Sequence, residues 1–176
     1  MWDLPGGTLA GPMKWVLSDW QWSGVMEFQT GRPFNIVSGQ DNSRRGLGST
    51  SDHAKLTGQP TRPPAGLDPL LWFNPAAFAT NDVGTFGDVP KGSLYGPSLH
   101  SWNMGLFKNI QMGTDLKVQF RIEVFNIFNQ VNFDIPGTTP GSNRIAVNSA
   151  NFGKITRTVP GVGDARIVQF GLKFVF

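Results

Sequence analysis

The fold is decided by the stretch Arg166-Ile167-Val168-Gln169-Phe170-Gly171-Leu172-Lys173-Phe174-Val175-Phe176. Side chains alternate across an extended strand with a period of two. One side of this strand is therefore entirely apolar and carries Val168, Phe170, Leu172, Phe174 and Phe176. The other side is mixed and partly charged, with Ile167, Gln169, Gly171, Lys173 and Val175. Such a pattern is typical of a β-strand with lipid on one side and a wet interior on the other.

Three further segments alternate in the same way, and the four together predict strands at about 20–30, 101–112, 116–127 and 165–176. We expect the lipid-facing side chains of the first three to be Trp20, Trp22, Met26, Phe28, Met104, Leu106, Val118, Phe120, Ile122 and Val124. We expect the polar side chains facing the interior to be Glu27, Lys117, Gln119, Arg121, Glu123, Gln169 and Lys173. The interior charges would form either an ion-paired lattice or a wall that guides solute.

The second and third segments are separated only by Gly113–Asp115, whose Gly and Asp residues suit a tight hairpin. We predict a register in which Met112 lies opposite Leu116, so that one face of the hairpin is apolar. Lys108 then falls on that apolar face, opposite Phe120. We expect either that its ammonium snorkels to the nearby interface or that a bulge shifts the strand.

The connections between strands differ greatly in length. Outer-membrane barrels have short periplasmic turns and long outer loops, so we predict long extracellular loops at about 31–100 and 128–164. Four strands cannot close a barrel, because the smallest single-chain barrels need about eight. The stretch Met1–Gly7 also lacks the basic and apolar regions of a secretory signal. We therefore predict an all-β antiparallel meander, with residues 1–176 forming the carboxy-terminal part of a large transmembrane β-barrel in a Gram-negative outer membrane.

Composition is compatible with this prediction. Of the 176 residues, 39% are hydrophobic, only 15% are charged and 22 are Gly, which favours a turn-rich β protein. The net charge of +3 comes from scattered Lys and Arg residues, so a nucleic-acid partner is not expected. Because the chain has no Cys, disulfides, thiolate metal sites and cysteine nucleophiles are excluded.

The polar residues do not predict an enzyme. His53 and His100 lie far apart in loop-like surroundings, which favours exposed loop histidines over a metal or acid–base site. The Asp residues lack the spacing of a calcium loop, and the segment 44–49 lacks the Lys and Ser/Thr positions of a phosphate loop. We therefore expect no catalytic residue, no cofactor and no metal.

Several short motifs occur along the chain in a fixed order. They are Thr30-Gly31-Arg32-Pro33-Phe34, Trp72-Phe73-Asn74-Pro75-Ala76-Ala77-Phe78, Gly84-Thr85-Phe86-Gly87, Leu94-Tyr95-Gly96-Pro97, Leu106-Phe107-Lys108-Asn109, Phe120-Arg121-Ile122-Glu123-Val124-Phe125-Asn126-Ile127-Phe128-Asn129, Asn132-Phe133 and Phe152-Gly153-Lys154-Ile155. Through them the chain resembles the carboxy-terminal barrel region of TonB-dependent outer-membrane receptors, in particular the Oar-like group that carries a carboxypeptidase-regulatory-like domain.

The resemblance implies a plugged barrel of about twenty-two strands that imports a scarce solute of the siderophore, oligosaccharide or peptide class. Its partners would be outer-membrane lipid, the solute, and TonB, which acts through an amino-terminal part that is missing here. The fragment is therefore not expected to transport alone. The resemblance also implies that the barrel-assembly machinery reads Val168, Phe170, Leu172, Phe174 and Phe176 as a signal.

Two other interpretations remain open. A soluble β-sandwich could use Trp residues to stack on carbohydrate, and it would bury the apolar faces of its strands. An outer-membrane adhesin or structural barrel would share the fold but import nothing. In every case, Trp72, Phe73, Phe78, Phe86 and Tyr95 predict that parts of the first long loop fold back and pack.

Overall fold

The computed structural model describes residues 2–4, 11, 16–48, 52–66, 68–137 and 142–176. The predicted loops at 31–100 and 128–164 lie in part outside the described residues, as does most of Met1–Gly7. The described strands are β1 (Trp2–Asp3), β2 (Trp20–Gln29), β3 (Pro33–Val37), β4 (Lys55–Leu56), β5 (Phe78–Ala79), β6 (Leu94–Tyr95), β7 (Leu99–Met112), β8 (Leu116–Phe125), β9 (Arg144–Ala146) and β10 (Ile167–Val175), and a 3-10 turn spans Pro75–Ala77.

The four long strands β2, β7, β8 and β10 lie where the alternating pattern predicts them, within two residues at each end. They belong to a five-stranded sheet in the order β1-β2-β7-β8-β10. β8 pairs antiparallel with both β7 and β10. The predicted all-β antiparallel meander is therefore confirmed.

The hairpin register is also as predicted. Met112 pairs with Leu116, and Lys108 pairs with Phe120. The pairing continues without interruption to Met104 and Val124, so the alternative of a bulge that shifts the strand is wrong. Alternation along two strands joined by a short turn leaves only one register that keeps the apolar side chains together.

The chain divides into two compact units. We call one the sheet unit (Met1–Phe28, His100–Asn132 and Pro160–Phe176) and the other the loop unit (Gln29–Leu99 and Phe133–Val159). In the loop unit, β3 pairs antiparallel with β6 and parallel with β9, and β4 pairs with β5. The two predicted long loops thus contribute to one folded unit.

The loop unit has a hydrophobic core of its own. Phe73 lies at its centre, with ring centroids 5.1 Å from Phe152, 5.5 Å from Phe78 and 5.9 Å from Phe34. Buried around these rings are Ile36, Ala54, Ala77, Val89, Ile135 and Ile145. The prediction that parts of the first loop fold back and pack is confirmed for Phe73 and Phe78.

The other three aromatic residues of that prediction are exposed. Trp72, Phe86 and Tyr95 lie at the surface of the loop unit. The indole Nε1 of Trp72 donates a hydrogen bond of 2.7 Å to the backbone oxygen of Tyr95, and the guanidinium of Arg45 lies over the Phe86 ring. Aromatic composition predicted packing, but it could not tell which rings enter the core.

Candidate functional site

The apolar face of the sheet unit is continuous across its strands. Cross-strand pairs join Val168 to Val124, Phe170 to Ile122, Leu172 to Phe120 and Phe174 to Val118. β2 contributes to the same face, because Phe28 contacts Trp102 at 5.5 Å and Trp20 lies beside Lys108. The predicted lipid-facing residues of the four strands are therefore brought together.

This face is uncovered along β10. Phe170, Leu172 and Phe174 are 66%, 63% and 57% exposed, and no described residue covers them as a second layer would. Val118 is buried because it lies between its two cross-strand partners, Ile110 on β7 and Phe174 on β10. A soluble sandwich would bury such side chains, since each large apolar residue gains about 1.5–3 kcal/mol on leaving water.

The opposite face carries the predicted interior residues. Gln169 pairs with Glu123 and Lys173 with Gln119 across β8 and β10, Lys117 and Arg121 lie on the same side of β8, and Glu27 lies on β2. These positions follow directly from alternation, because residues directly opposite each other in a pair share a face.

The polar face is connected by hydrogen bonds. Gln119 Nε2 donates to Asn109 Oδ1 at 2.8 Å, and Arg121 Nε donates to Gln119 Oε1 at 2.7 Å. The Arg121 guanidinium also lies 5.6 Å over the Phe107 ring. Among the described side chains, Lys117, Arg121 and Glu123 form no ion pair with one another, and the prediction of an ion-paired lattice stays a prediction. Asn109 and Phe107 were missing from the predicted set, although alternation already placed them on this side.

Lys108 interrupts the apolar face, and its ammonium is well covered. The residue is 6% exposed. Its Nζ donates to the backbone oxygen of Ser18 and lies 5.6 Å over the ring of Trp20. The indole Nε1 of Trp20 in turn donates to the backbone oxygen of Val16 at 2.7 Å. The ammonium therefore binds a backbone carbonyl in the segment before β2. The sequence predicted instead that the ammonium would snorkel to the membrane interface.

A group of aromatic rings lies at the carboxy-terminal end of β2, away from Trp20. Phe28 contacts His100 at 5.6 Å, and Trp102 meets Phe128 at 5.3 Å with the rings nearly perpendicular. Trp20 and Phe28 are eight residue steps apart, which is about 27 Å along a strand. Because barrel strands tilt by about 35–45°, this length spans about 19–22 Å of the membrane normal, somewhat less than the apolar band of about 25 Å between the aromatic girdles of outer-membrane barrels.

The acidic side chains of the loop unit form hydrogen bonds or ion pairs within that unit. Asp134 is 5% exposed and accepts from Arg32 and Arg157, each at 3.0 Å. The hydroxyl and the backbone N–H of Ser43 both donate hydrogen bonds to the Asp52 carboxylate. These hydrogen bonds lower the pKa of Asp52 below its ordinary value. A hydrogen bond from Lys154 lowers the pKa of Asp68. Each of these carboxylates thus has a structural contact.

The prediction of exposed loop histidines is wrong: both side chains are half-buried, His100 lies in β7, and His53 forms an isolated β-bridge with Val37. His53 Nδ1 lies 2.7 Å from the backbone oxygen of Val89, and the backbone N–H of His100 donates to Asn132 Oδ1 at 2.8 Å. Within the described ranges, no cluster of three or more His, Asp or Glu residues is arranged to hold a metal ion. Over the same part of the chain, no helix has the length and hydropathy needed to cross a bilayer.

Comparison with known proteins agrees with the two-sided sheet. A sequence model of the outer membrane beta barrel domain matches residues 1–169. No curated protein and no solved structure gives a significant match. The family places the chain in the outer membrane, and the soluble β-sandwich interpretation does not fit that location. With 169 of its 176 residues matched, the chain belongs to the outer membrane beta barrel domain family.

Proposed function

We propose that this chain forms part of the barrel wall of a TonB-dependent receptor of the Oar-like group, which imports a scarce solute. The observation that carries the proposal is the sheet of the sheet unit, with an uncovered apolar face on one side and a hydrogen-bonded polar face on the other. The ordered motifs add the resemblance to the receptor group. In this arrangement the apolar face meets lipid and the polar face lines the lumen.

The orientation of the two faces is open to a direct test. Because the chain has no Cys, a single introduced thiol can carry a nitroxide spin label. We expect labels at Phe170→Cys and Leu172→Cys to collide with oxygen dissolved in the bilayer. Labels at the matched neighbours Gln169→Cys and Lys173→Cys should collide instead with a water-soluble nickel relaxant. Equal accessibility of neighbouring positions would contradict a lipid face and a lumen face.

Transport requires a separate experiment in the native cell. We expect uptake of one of three labelled probes, a ferric siderophore, an oligosaccharide or an oligopeptide, to fall to background when the gene is deleted. Deletion of TonB should have the same effect, because the energy for import comes from the inner membrane. If uptake of all three probes survives either deletion, the proposal is wrong and a structural or adhesive barrel is favoured.

A further inference from the structure

A half-open cleft lies on the polar face, at the end of the sheet away from the Gly113–Asp115 hairpin. Its volume is about 320 Å³, at the lower end of the range of about 300–1,000 Å³ that is usual for small-molecule sites. The lining residues used below are Ser101, Asn103, Phe125, Val162, Asp164 and Ile167. All of them belong to the sheet unit.

Asn126 fixes the shape of the cleft. This residue follows β8 with φ of 50°, and its Nδ2 donates to the backbone oxygens of Asp164 at 2.8 Å and Gln130 at 2.9 Å. Its Oδ1 accepts from the backbone N–H of Gln130 at 2.9 Å. The bond to Asp164 joins the segment that carries this residue to the end of β8, and the two bonds to Gln130 hold the Asn126 amide in place. A cleft held in this way is largely formed before a ligand arrives.

Other polar groups of the lining remain available to a ligand. Asn103 Oδ1 accepts from the backbone N–H of Asn126 at 2.9 Å, and no described residue accepts from its Nδ2. Asp164 Oδ2 accepts from the backbone N–H of Gly161 at 3.2 Å, which leaves Oδ1 as an acceptor. Ser101 is only 4% exposed, and its hydroxyl, which can both donate and accept, lies in the wall of the cleft. The cleft therefore offers donors and acceptors side by side.

The same lining offers an aromatic surface and one charge. Phe125 is 41% exposed, and Val162 and Ile167 extend the apolar part of the wall. Among the described lining residues Asp164 alone is ionisable, so it gives the cleft a negative charge that disfavours anions. Neutral sugars match this combination, because their hydroxyls donate and accept while their C–H faces pack on aromatic rings.

We infer that this cleft binds a neutral saccharide of one or two rings. The inference rests on the proposed function, and it makes the imported solute an oligosaccharide or a molecule that presents a sugar unit. Ser101 and Asn103 would hydrogen-bond the sugar hydroxyls, Asp164 would accept from another hydroxyl, and Phe125 would pack against the ring.

Binding can be measured on the full-length receptor that contains this chain, in phosphatidylcholine vesicles, without glycosidic detergent that would compete for the cleft. The probes are glucose, maltose, cellobiose and glucuronate, followed by saturation-transfer NMR. We expect at least one neutral sugar to bind, and glucuronate to bind about tenfold more weakly than glucose. Asp164→Asn should reduce the difference in affinity between glucose and glucuronate, because the substitution removes the charge and keeps the size of the side chain.

Two more variants locate the site. Phe125→Leu and Ser101→Ala should each weaken sugar binding by about tenfold, or about 1.4 kcal/mol. Phe174→Leu, on the apolar face, should bind as the unmodified chain does, and heat-modifiable migration on gels should show that every variant is folded. The inference is overturned if no neutral sugar binds, if glucuronate is preferred, or if folded Phe125→Leu and Ser101→Ala both bind normally.

The outcomes separate this inference from the proposed function. TonB-dependent uptake that is unaffected by the cleft variants would reject the sugar site and keep the receptor. Sugar binding that is lost in the cleft variants, in a protein whose deletion changes no TonB-dependent uptake, would keep the site and reject the importer.

Discussion

At the scale of single residues, the ordered motifs have structural roles. A Cβ on Gly31 would lie 1.8 Å from the backbone oxygen of Gly96, so only Gly fits there. Phe34, three residues later, is fully buried in the loop unit. Asn126 and Asn129 both have positive φ, at 50° and 51°, where Asn is better tolerated than most residues. The residues that carry the resemblance therefore act on the backbone and the core.

Lys108 and Trp20 should be energetically coupled. We expect a double-mutant cycle of Lys108→Met and Trp20→Leu to give a coupling energy of about 0.5–2 kcal/mol, because the ammonium lies over the indole ring in a site with little water. The measurement is the free energy of unfolding in urea, in lipid vesicles. A cycle of Lys173→Met with Trp20→Leu is the control and should give a value near zero. Equal values in the two cycles would exclude a specific contact.

Asp52 should make the loop unit sensitive to acid. The Ser43 hydroxyl, followed by the Ser43 backbone N–H, lowers the pKa of Asp52 in the folded state below 3.8. Because the folded pKa lies below the unfolded one, the carboxylate stabilises the fold above about pH 4. That contribution is lost as the pH falls through the folded pKa.

The acid sensitivity can be measured as the urea midpoint at a series of pH values. We expect the midpoint to fall on acidification, and to fall less in Asp52→Asn and in Ser43→Ala, which remove the two sides of the interaction. Ser93→Ala, at an exposed position, is the control and should follow the unmodified chain. If Asp52→Asn kept the full acid dependence, other carboxylates would have to account for it.

At the scale of elements, β10 is paired with β8 along its whole length and is followed by an exposed aromatic residue. Its residues pair with β8 from Ile167 to Val175, and Phe176 follows the strand at 97% exposure. We propose that Phe176 belongs to the signal recognised during barrel assembly. This aromatic ring has no packing role in the described structure that would explain it otherwise.

Replacement of Phe176 in the full-length protein should therefore reduce assembly. We expect Phe176→Ser to lower the amount of heat-modifiable, folded barrel in outer membranes several-fold, while Phe176→Tyr keeps the aromatic ring and the assembly. The comparison uses membranes with equal total protein expression. Undiminished folded barrel in Phe176→Ser would remove this residue from the signal.

The elements also show how far local pattern can predict structure. Long strands were predicted well because alternation persists over their whole length and the three-residue hairpin leaves one register. Short strands such as β4, β5 and β6 have two residues each, too few for any period to be detected. The parallel pairing of β3 with β9 joins Ile36 to Ile145, and such a distant pairing leaves no local signal.

At the scale of the whole molecule, the loop unit should depend on its aromatic core. We expect Phe73→Ala to destabilise this unit by about 3–5 kcal/mol, because the ring is buried among Phe34, Phe78 and Phe152. Trypsin digestion of the protein in vesicles should then cut the loop unit at lower urea concentrations. Phe86→Ala, at a ring that is 70% exposed, is the matched control. Equal resistance of the two variants would mean that this core does not stabilise the unit.

The sequence by itself determined the four long strands, their register around the hairpin and the two faces of the sheet. Each of these follows from an alternation that can be followed residue by residue. Only the tertiary structure decided which loop aromatics are buried, that the Lys108 ammonium binds the Ser18 carbonyl, and that Asn126 shapes a polar cleft with the segment containing Asp164. The physical reason is that these contacts join segments distant in sequence, and only the folded chain brings them within a few ångströms.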